Sequence, residues 1–142
     1  MGFQLGLDAK LKYKTGGQAA GGSWTEITNC RDVTLNMEKG ESDATTRGNG
    51  GFRATVGTLI DSSIEFEMVW DTADAAFAAM RTAFLSRAAV GFQILDKDSG
   101  QGLQADFEVF NFSRAEPLDG IQLVSVTIKI TYSATAPSWI GA

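Results

Sequence analysis

The chain has 142 residues and is 44% hydrophobic, which suffices for one core and predicts a single domain over residues 1–142. Its 12 basic and 17 acidic residues give a net charge of −5, the wrong sign for a protein that wraps nucleic acid. Histidine is absent and Cys30 is the single cysteine, which excludes Ser-His-Asp triads, internal disulfides and the usual zinc sites.

Period-two alternation of apolar and polar residues, typical of half-buried strands, dominates the first half of the chain. It predicts a strand over residues 3–14, a short extended piece at 24–27, and further strands at 33–37, 52–56 and 64–70. The segment 39–51, KGESDATTRGNGG, is polar, glycine-rich and without an apolar period or anchor. We therefore expect a long loop there, of the length that usually carries a function.

One helix interrupts the strands. Asp71 and Asp74 place acid where the positive end of a helix dipole would lie, and Phe77, Met80 and Phe84 follow at helical spacing. This pattern predicts a helix over about residues 72–88, held to the sheet by those three apolar side chains.

Strand alternation resumes at residues 90–95, 103–112 and 124–132, and a tail at 134–142 follows. The order of strands, one helix and more strands predicts a mainly β protein, which is a β-sandwich or open barrel with one flanking α-helix. No run of about 18 apolar residues is present, and charged residues interrupt the apolar ones near the N-terminus, so we expect neither a membrane span nor a secretory signal.

The titratable residues offer little catalytic chemistry. Glu65 and Glu67 share a predicted strand face, as do Asp106 and Glu108, but paired carboxylates act on a substrate only when a cleft holds them apart. The segment 96–100 begins like a calcium loop, yet glycine stands at the third ligand position and no closing glutamate follows. We expect no catalytic site, no metal and no cofactor.

The run from Trp24 to Trp70 resembles the major tail tube proteins of long-tailed bacteriophages. The similarity lies in the strand at 32–35, the loop GESDATTRGNGG, the strand at 64–70, the helix that opens with Asp71 and the closing strand QLVSVTIKITYSA. It extends over most of the chain, from about residue 5 to 133. The resemblance implies a β-sandwich with a flanking helix, assembled as hexameric rings that stack into a tube through which DNA passes.

The resemblance further implies a structural protein of the virion tail, made and assembled in the host bacterial cytoplasm, and not an enzyme. Its partners would be further copies of itself, the tail tip and terminator proteins, and DNA that passes through the lumen without specific binding; no membrane is involved. A tube subunit of a phage-derived particle, such as a gene-transfer agent or an injection device, remains an alternative. A small β-barrel that binds carbohydrate or peptide is another.

Combined with the residue pattern, the resemblance suggests three groups of functional residues. Because the first predicted strand starts at Phe3, the contacts between subunits and rings should come from loop 39–51 and from the tail 134–142. The candidate contact residues of the loop are Glu41, Asp43, Thr45, Thr46, Arg47 and Asn49.

The lumen should present acid, which repels the phosphate backbone. The lumen candidates are Glu65, Glu67, Asp106, Glu108, Thr127 and Lys129. The helix–sheet core is formed by Phe77, Met80 and Phe84.

Overall fold

The computed structural model describes residues 3–141, which form eight strands and one α-helix. The strands form a single antiparallel sheet in the order β2-β1-β5-β6-β7-β4-β3, with β8 paired to β6. The predicted mainly β class with one helix is confirmed. The elements are β1 (Lys10–Thr15), β2 (Thr25–Glu26), β3 (Cys30–Asp43), β4 (Thr55–Val69), α1 (Ala75–Ser86), β5 (Val90–Leu95), β6 (Gly102–Ala115), β7 (Leu123–Ile130) and β8 (Ser138–Ile140).

The sheet curls into an open barrel. β4 and β5 are three strands apart in the sheet order, which in a flat sheet would separate them by about 14 Å. The ring centroids of Phe66 on β4 and Phe92 on β5 nevertheless lie 6.4 Å apart. Both side chains are buried, and Phe107 on β6 meets Phe92 edge-on at 5.7 Å. The core therefore lies inside the curl, where the apolar residues of successive strands meet.

Helix α1 closes one side of this core. Asp74 precedes the helix and its carboxylate accepts a hydrogen bond from the Phe77 N–H at 2.9 Å, as an N-cap residue does. Arg87 ends the helix in the left-handed conformation, at φ 61°. The helix is thus shorter than the predicted 72–88 at both ends. At its start, Asp71 caps a preceding turn, where its carboxylate accepts a hydrogen bond from the Ala73 N–H. At its end, the left-handed conformation of Arg87 stops the helix.

The three apolar residues predicted to hold the helix differ in burial. Phe77 and Met80 are fully buried, and the ring of Trp70 packs edge-on against Phe77 at 4.6 Å. Phe84 is 37% exposed and stacks on Phe112 at 6.2 Å, at the border of the core. Phe84, predicted as helix–sheet core with the other two, thus contacts the sheet near the end of the helix but is only partly buried.

The first predicted strand is only half formed. Residues 3–14 alternate throughout, yet β1 begins at Lys10, and Gly6–Asp8 form a 3-10 turn. The reason is the length of the neighbouring strand, because β5 ends at Leu95, directly opposite Lys10. Phe3, Leu5 and Leu7 are consequently exposed.

Segment 39–51 is only partly a loop, because its first five residues, 39–43, belong to a strand. β3 continues to Asp43 and pairs with β4 from Thr55 onward, with a register shift between Lys39 and Glu41. The two strands project beyond the core as a hairpin, which we call the arm (residues 37–61), and its end at 44–54 is the tip. Backbone pairing extends the hairpin although its side chains lack an apolar period, because the ladder bonds form independently of the side chains.

No helix of the described part of the chain is both long and apolar enough to cross a membrane.

Candidate functional site

One face of the sheet is polar and acidic. It lies on the convex side of β3, β4, β7 and the second half of β6, opposite the buried apolar row. The register places Glu65 between Thr34 on β3 and Thr127 on β7, and aligns Glu67 with Ser125. We call this surface the acidic face; its acidic residues are Asp32, Glu38, Asp61, Glu65, Glu67 and Glu108.

The acidic face carries an unfavourable concentration of charge. Glu38 lies directly opposite Asp61 in the β3–β4 pair, an arrangement that destabilises a sheet. Asp32, Glu65 and Glu67 line one shallow depression of about 330 Å³ together with threonine and serine hydroxyls. A surface that tolerates such repulsion is expected to have a use for its negative potential.

Lys129 is the basic residue among the predicted lumen candidates. It is exposed and aligns with Glu108 on β6 and with Ser63 on β4. Its ammonium group lies 5.9 Å from the ring centroid of Phe110, the extra residue of a β-bulge in β6. An acid therefore faces Lys129 across the strand pair, which offsets its charge on this face.

Asp106 does not belong to the acidic face, and its prediction as a lumen residue is wrong. Its side chain is only 5% exposed, and its carboxylate accepts hydrogen bonds from the Gln18 N–H at 2.6 Å and from the Ser133 hydroxyl. The chain after β7 and the turn at Gly17 fold over this part of β6 and cover it. Strand periodicity assigned Asp106 to the same face as Glu108 correctly, but it could not show that another segment covers that end of the face.

The tip of the arm is an ordered structure. The Asp43 carboxylate accepts hydrogen bonds from the N–H and the hydroxyl of Thr45, and the Thr45 hydroxyl accepts one from the Ala54 N–H at 2.9 Å. The bonds from Thr45 lower the pKa of Asp43 below its ordinary value of 3.8. This network closes the base of the tip across the hairpin.

The remaining predicted contact residues lie on the arm at different heights. Glu41 belongs to β3, opposite Gly57, whereas Thr46 precedes a 3-10 turn formed by Arg47–Asn49. Gly50 and Gly51 then adopt positive φ angles of 62° and 89° and turn the chain back. The structure brings Asp43 and Thr45 into contact, leaves Glu41 on the strand below the tip, and places Thr46, Arg47 and Asn49 in the tip itself.

Sequence reasoning missed Phe52. The predicted loop ended at Gly51 and was described as lacking an apolar anchor, with Phe52 assigned to the next strand. In the structure β4 starts at Thr55, so Phe52 lies within the tip, where it is 78% exposed. A large aromatic side chain beside two glycines was the available signal.

The described residues contain no group of three or more Asp, Glu or Cys side chains arranged to hold a metal ion. Burial raises the pKa of the Cys30 thiol, and the charge of Glu26 adds to the rise, while the thiol donates a hydrogen bond to the Ile27 carbonyl at 3.2 Å. A thiol in this state is a poor nucleophile at neutral pH.

Comparison with known proteins identifies the family and the fold. The family model described as phage tail tube protein matches residues 4–134. The fold is similar to the tail of an empty GTA particle refined with C6 symmetry, with a TM-score of 0.78 at 23% identity over 96% of this chain and 98% of that one. It is also similar to the SPP1 tail tube, with a TM-score of 0.70 at 16% identity over 90% and 76% of the two chains.

A third similar structure is the virion of a native gene transfer agent particle, with a TM-score of 0.74 at 22% identity over 96% and 98% of the two chains. No curated protein sequence matches the chain significantly. At these identities the structural similarities establish the fold alone. The family is established by the family model, which matches residues 4–134.

The chain belongs to the phage tail tube protein family. Its members are structural components of a tail, so the chain is a structural protein and not an enzyme. This assignment takes the place of the binding-module alternative.

Proposed function

We propose that six copies of this chain close into a ring, and that the rings stack into a tube whose acidic face surrounds the lumen. The match of the family model to residues 4–134 carries the tube assignment. The six-fold number is supported by the C6 symmetry of the similar GTA tail. An open barrel leaves free strand edges at β2 and β3, and a ring that joins the edges of adjacent copies removes them.

DNA crosses this lumen without being held. Phosphate backbones bind proteins mainly through lysine and arginine, and the acidic face carries six carboxylates against Lys129. Repeated around six subunits, Glu65 and Glu67 form rings of negative charge that keep the phosphates off the wall. The lumen residues in this proposal are Glu65, Glu67, Glu108, Thr127 and Lys129.

The arm makes contacts between copies. It projects beyond the core, and its inner side exposes Met37 and Ile60 without a cover from its own chain. Glu41, Asp43, Thr45, Thr46, Arg47 and Asn49 form the polar part of this contact, with Arg47 paired to an acid of a neighbouring copy. The tail at 134–142 also contributes, through β8, which pairs with the start of β6.

The tube requires partners that start and stop it, which would be tail tip and terminator proteins. Its subunits would assemble in the cytoplasm of the bacterial host.

A tube in a gene transfer particle is the second candidate, favoured by the GTA tail that aligns over 98% of its own length. Sequencing the DNA in purified particles separates the two, because a phage carries its own genome and a gene transfer agent carries genes of its producer.

Negative-stain electron microscopy of the purified protein over a concentration series tests the proposal. We expect rings with six-fold symmetry and tubes above a critical concentration. A monomer at every concentration would contradict it.

A further inference from the structure

An apolar cleft opens between β1 and the start of β3. Its volume is about 610 Å³, and its apolar lining consists of Leu7, Leu11, Ile27, Val33 and Ile94. The floor is formed by buried Leu11 and Ile27, whereas Leu7 at the lip is 90% exposed. The cleft is therefore open to solvent and lined by side chains that favour an apolar occupant.

The tip of the arm presents a side chain that matches this cleft. Phe52 is the one large apolar residue between positions 44 and 54. Its N–H donates to the Asn49 carbonyl at 3.2 Å, and the Thr45–Ala54 bond closes the tip around it. A side chain held on an ordered turn loses less freedom on binding than one on a mobile loop, so Phe52 is prepared for contact.

The cleft and Phe52 lie at opposite ends of the same strand. Cys30 and Val33, at the start of β3, line the cleft, and the tip follows Asp43, its last residue. A strand of 14 residues is about 43 Å long, so Phe52 cannot reach the cleft of its own chain. A second copy placed head-to-tail can, and contacts of this kind repeat along an open assembly when the rotation between copies does not close a ring.

We propose that Phe52 of one copy inserts into the β1–β3 cleft of the next copy along the tube. This rests on the proposed tube and adds to it the occupant of the cleft. The rim carries both signs of charge, because Arg31 and Lys10 lie there with Asp32 and Glu26, and Asp32 is the acid with which Arg53, next to Phe52, can pair. Among the described residues neither Arg53 nor Asp32 has an ion-pair partner, whereas Lys10 and Glu26 on the same rim already pair at 3.5 Å.

A matched pair of variants measures the contribution of Phe52. Phe52 and Leu59 are both on the arm and are 78% and 80% exposed, so replacing either by alanine should leave the thermal melt of the monomer unchanged. We expect Phe52→Ala to raise the critical concentration for tubes by about tenfold or more, since an aromatic side chain in a pocket is a typical hot spot. Leu59→Ala should change it by less than about twofold.

A cross-link identifies the site itself. Cys30 is the single cysteine and lines the cleft, so Arg53→Cys places a second thiol beside Phe52 while keeping the aromatic ring. Because the raised pKa of Cys30 slows its reaction at neutral pH, the tubes are treated at about pH 8.5, where labelling of a separate wild-type sample with N-ethylmaleimide first shows that Cys30 reacts. A short bis-maleimide should then join position 53 of one chain to Cys30 of the next and produce a ladder of multimers on a denaturing gel. The ladder should vanish below the critical concentration and in the Arg53→Cys, Cys30→Ser double variant. Tyr132→Cys, at an exposed position far from the arm in sequence, is the control and should give no link to Cys30.

The outcomes separate the two proposals. If wild-type protein forms tubes but mass spectrometry finds no peptide linking positions 30 and 53, and Phe52→Ala behaves as Leu59→Ala does, the cleft assignment is wrong and the tube stands. If the wild-type protein forms no tubes, the proposed function itself fails.

Discussion

Thr45 shows how one hydroxyl organises an exposed turn. It bonds to the Asp43 carboxylate and to the Ala54 N–H, and so joins both strands of the arm at the base of the tip. Asp43 also accepts a hydrogen bond from the Thr45 N–H, and aspartate side chains commonly stabilise turns by bonding to backbone two residues further along. The order of the tip thus depends on a residue pair that carries no hydrophobic signal.

Thr45→Val is expected to raise the pKa of Asp43 toward its ordinary value of 3.8, because it removes the bond that contributes most to the lowering. A lowered pKa means that the bonded carboxylate stabilises the tip above pH 3.8, and that this contribution disappears as the pH falls through the pKa of the folded state. An NMR titration of the Asp43 carboxyl carbon measures the shift. Thr46→Val, the adjacent hydroxyl, is the control and should leave the titration unchanged.

Phe77 and Phe84 differ in what their removal should cost. Phe77→Ala is expected to lower the free energy of unfolding by about 3–5 kcal/mol, since the residue is fully buried and a cavity remains. Phe84→Ala should cost about 1–2 kcal/mol, because a ring that is 37% exposed loses less contact and leaves no closed cavity. Urea melts of the two variants compare them directly, and equal losses would contradict the difference in burial.

At the scale of elements, strand length is decided by neighbours. Residues 3–9 continue the alternation of β1 but have no strand beside them, because β5 stops at Leu95. Residues 39–43 lack alternation yet are strand, because residues 55–60 pair with them. Hydrogen bonds between strands therefore override side-chain pattern in both directions.

Replacing residues 45–53 by Asn-Gly, a two-residue hairpin turn, should keep the fold and prevent tube growth. The core lies inside the barrel and contains no tip residue, so the thermal midpoint of the monomer should shift by no more than a few degrees. Sedimentation of assembled protein measures growth. Tubes of normal length from this variant would show that the tip takes no part in assembly.

At the scale of the whole molecule, the sheet separates two roles. Its concave side and α1 form the core, and its convex side carries the acidic face on β3, β4 and β7. The other half of the convex side, on β5 and β6, is covered by the chain after β7 and by the turn at Gly17. Asp106 on β6 accepts a hydrogen bond from Ser133 in the first segment and from the Gln18 N–H in the second. A single sheet thereby offers one stable interior and one charged surface.

Glu65→Lys, Glu67→Lys in one chain should leave tubes intact but slow genome ejection by about tenfold or more, because the reversed charges bind passing phosphates. Fluorescence of DNA released from purified particles gives the ejection rate. Glu116→Lys, Asp119→Lys, at the turn between β6 and β7, makes the same charge change outside the acidic face and should leave the rate unchanged. Normal ejection from the Glu65, Glu67 variant would place that face outside the lumen.

The sequence by itself determined the class of the protein. Alternation along the strands and the spacing of Phe77 and Met80 depend on local periodicity, which survives without knowledge of the fold. The lack of histidine and the single cysteine excluded Ser-His-Asp triads, internal disulfides and the usual zinc sites. The resemblance of residues 24–70 to tail tube proteins then indicated the family, which the family model over residues 4–134 establishes.

Only the tertiary structure decided where strands end and what covers them. Asp106 and Glu108 are alike in the pattern, but one is buried by residues 17–18 and 131–133, which lie far away in the chain. Phe52 belongs to the tip, and faces solvent, because pairing between β3 and β4 stops at Asp43 and Thr55. Burial and strand pairing are made by residues distant in sequence, so a period of two or of 3.6 residues cannot report them.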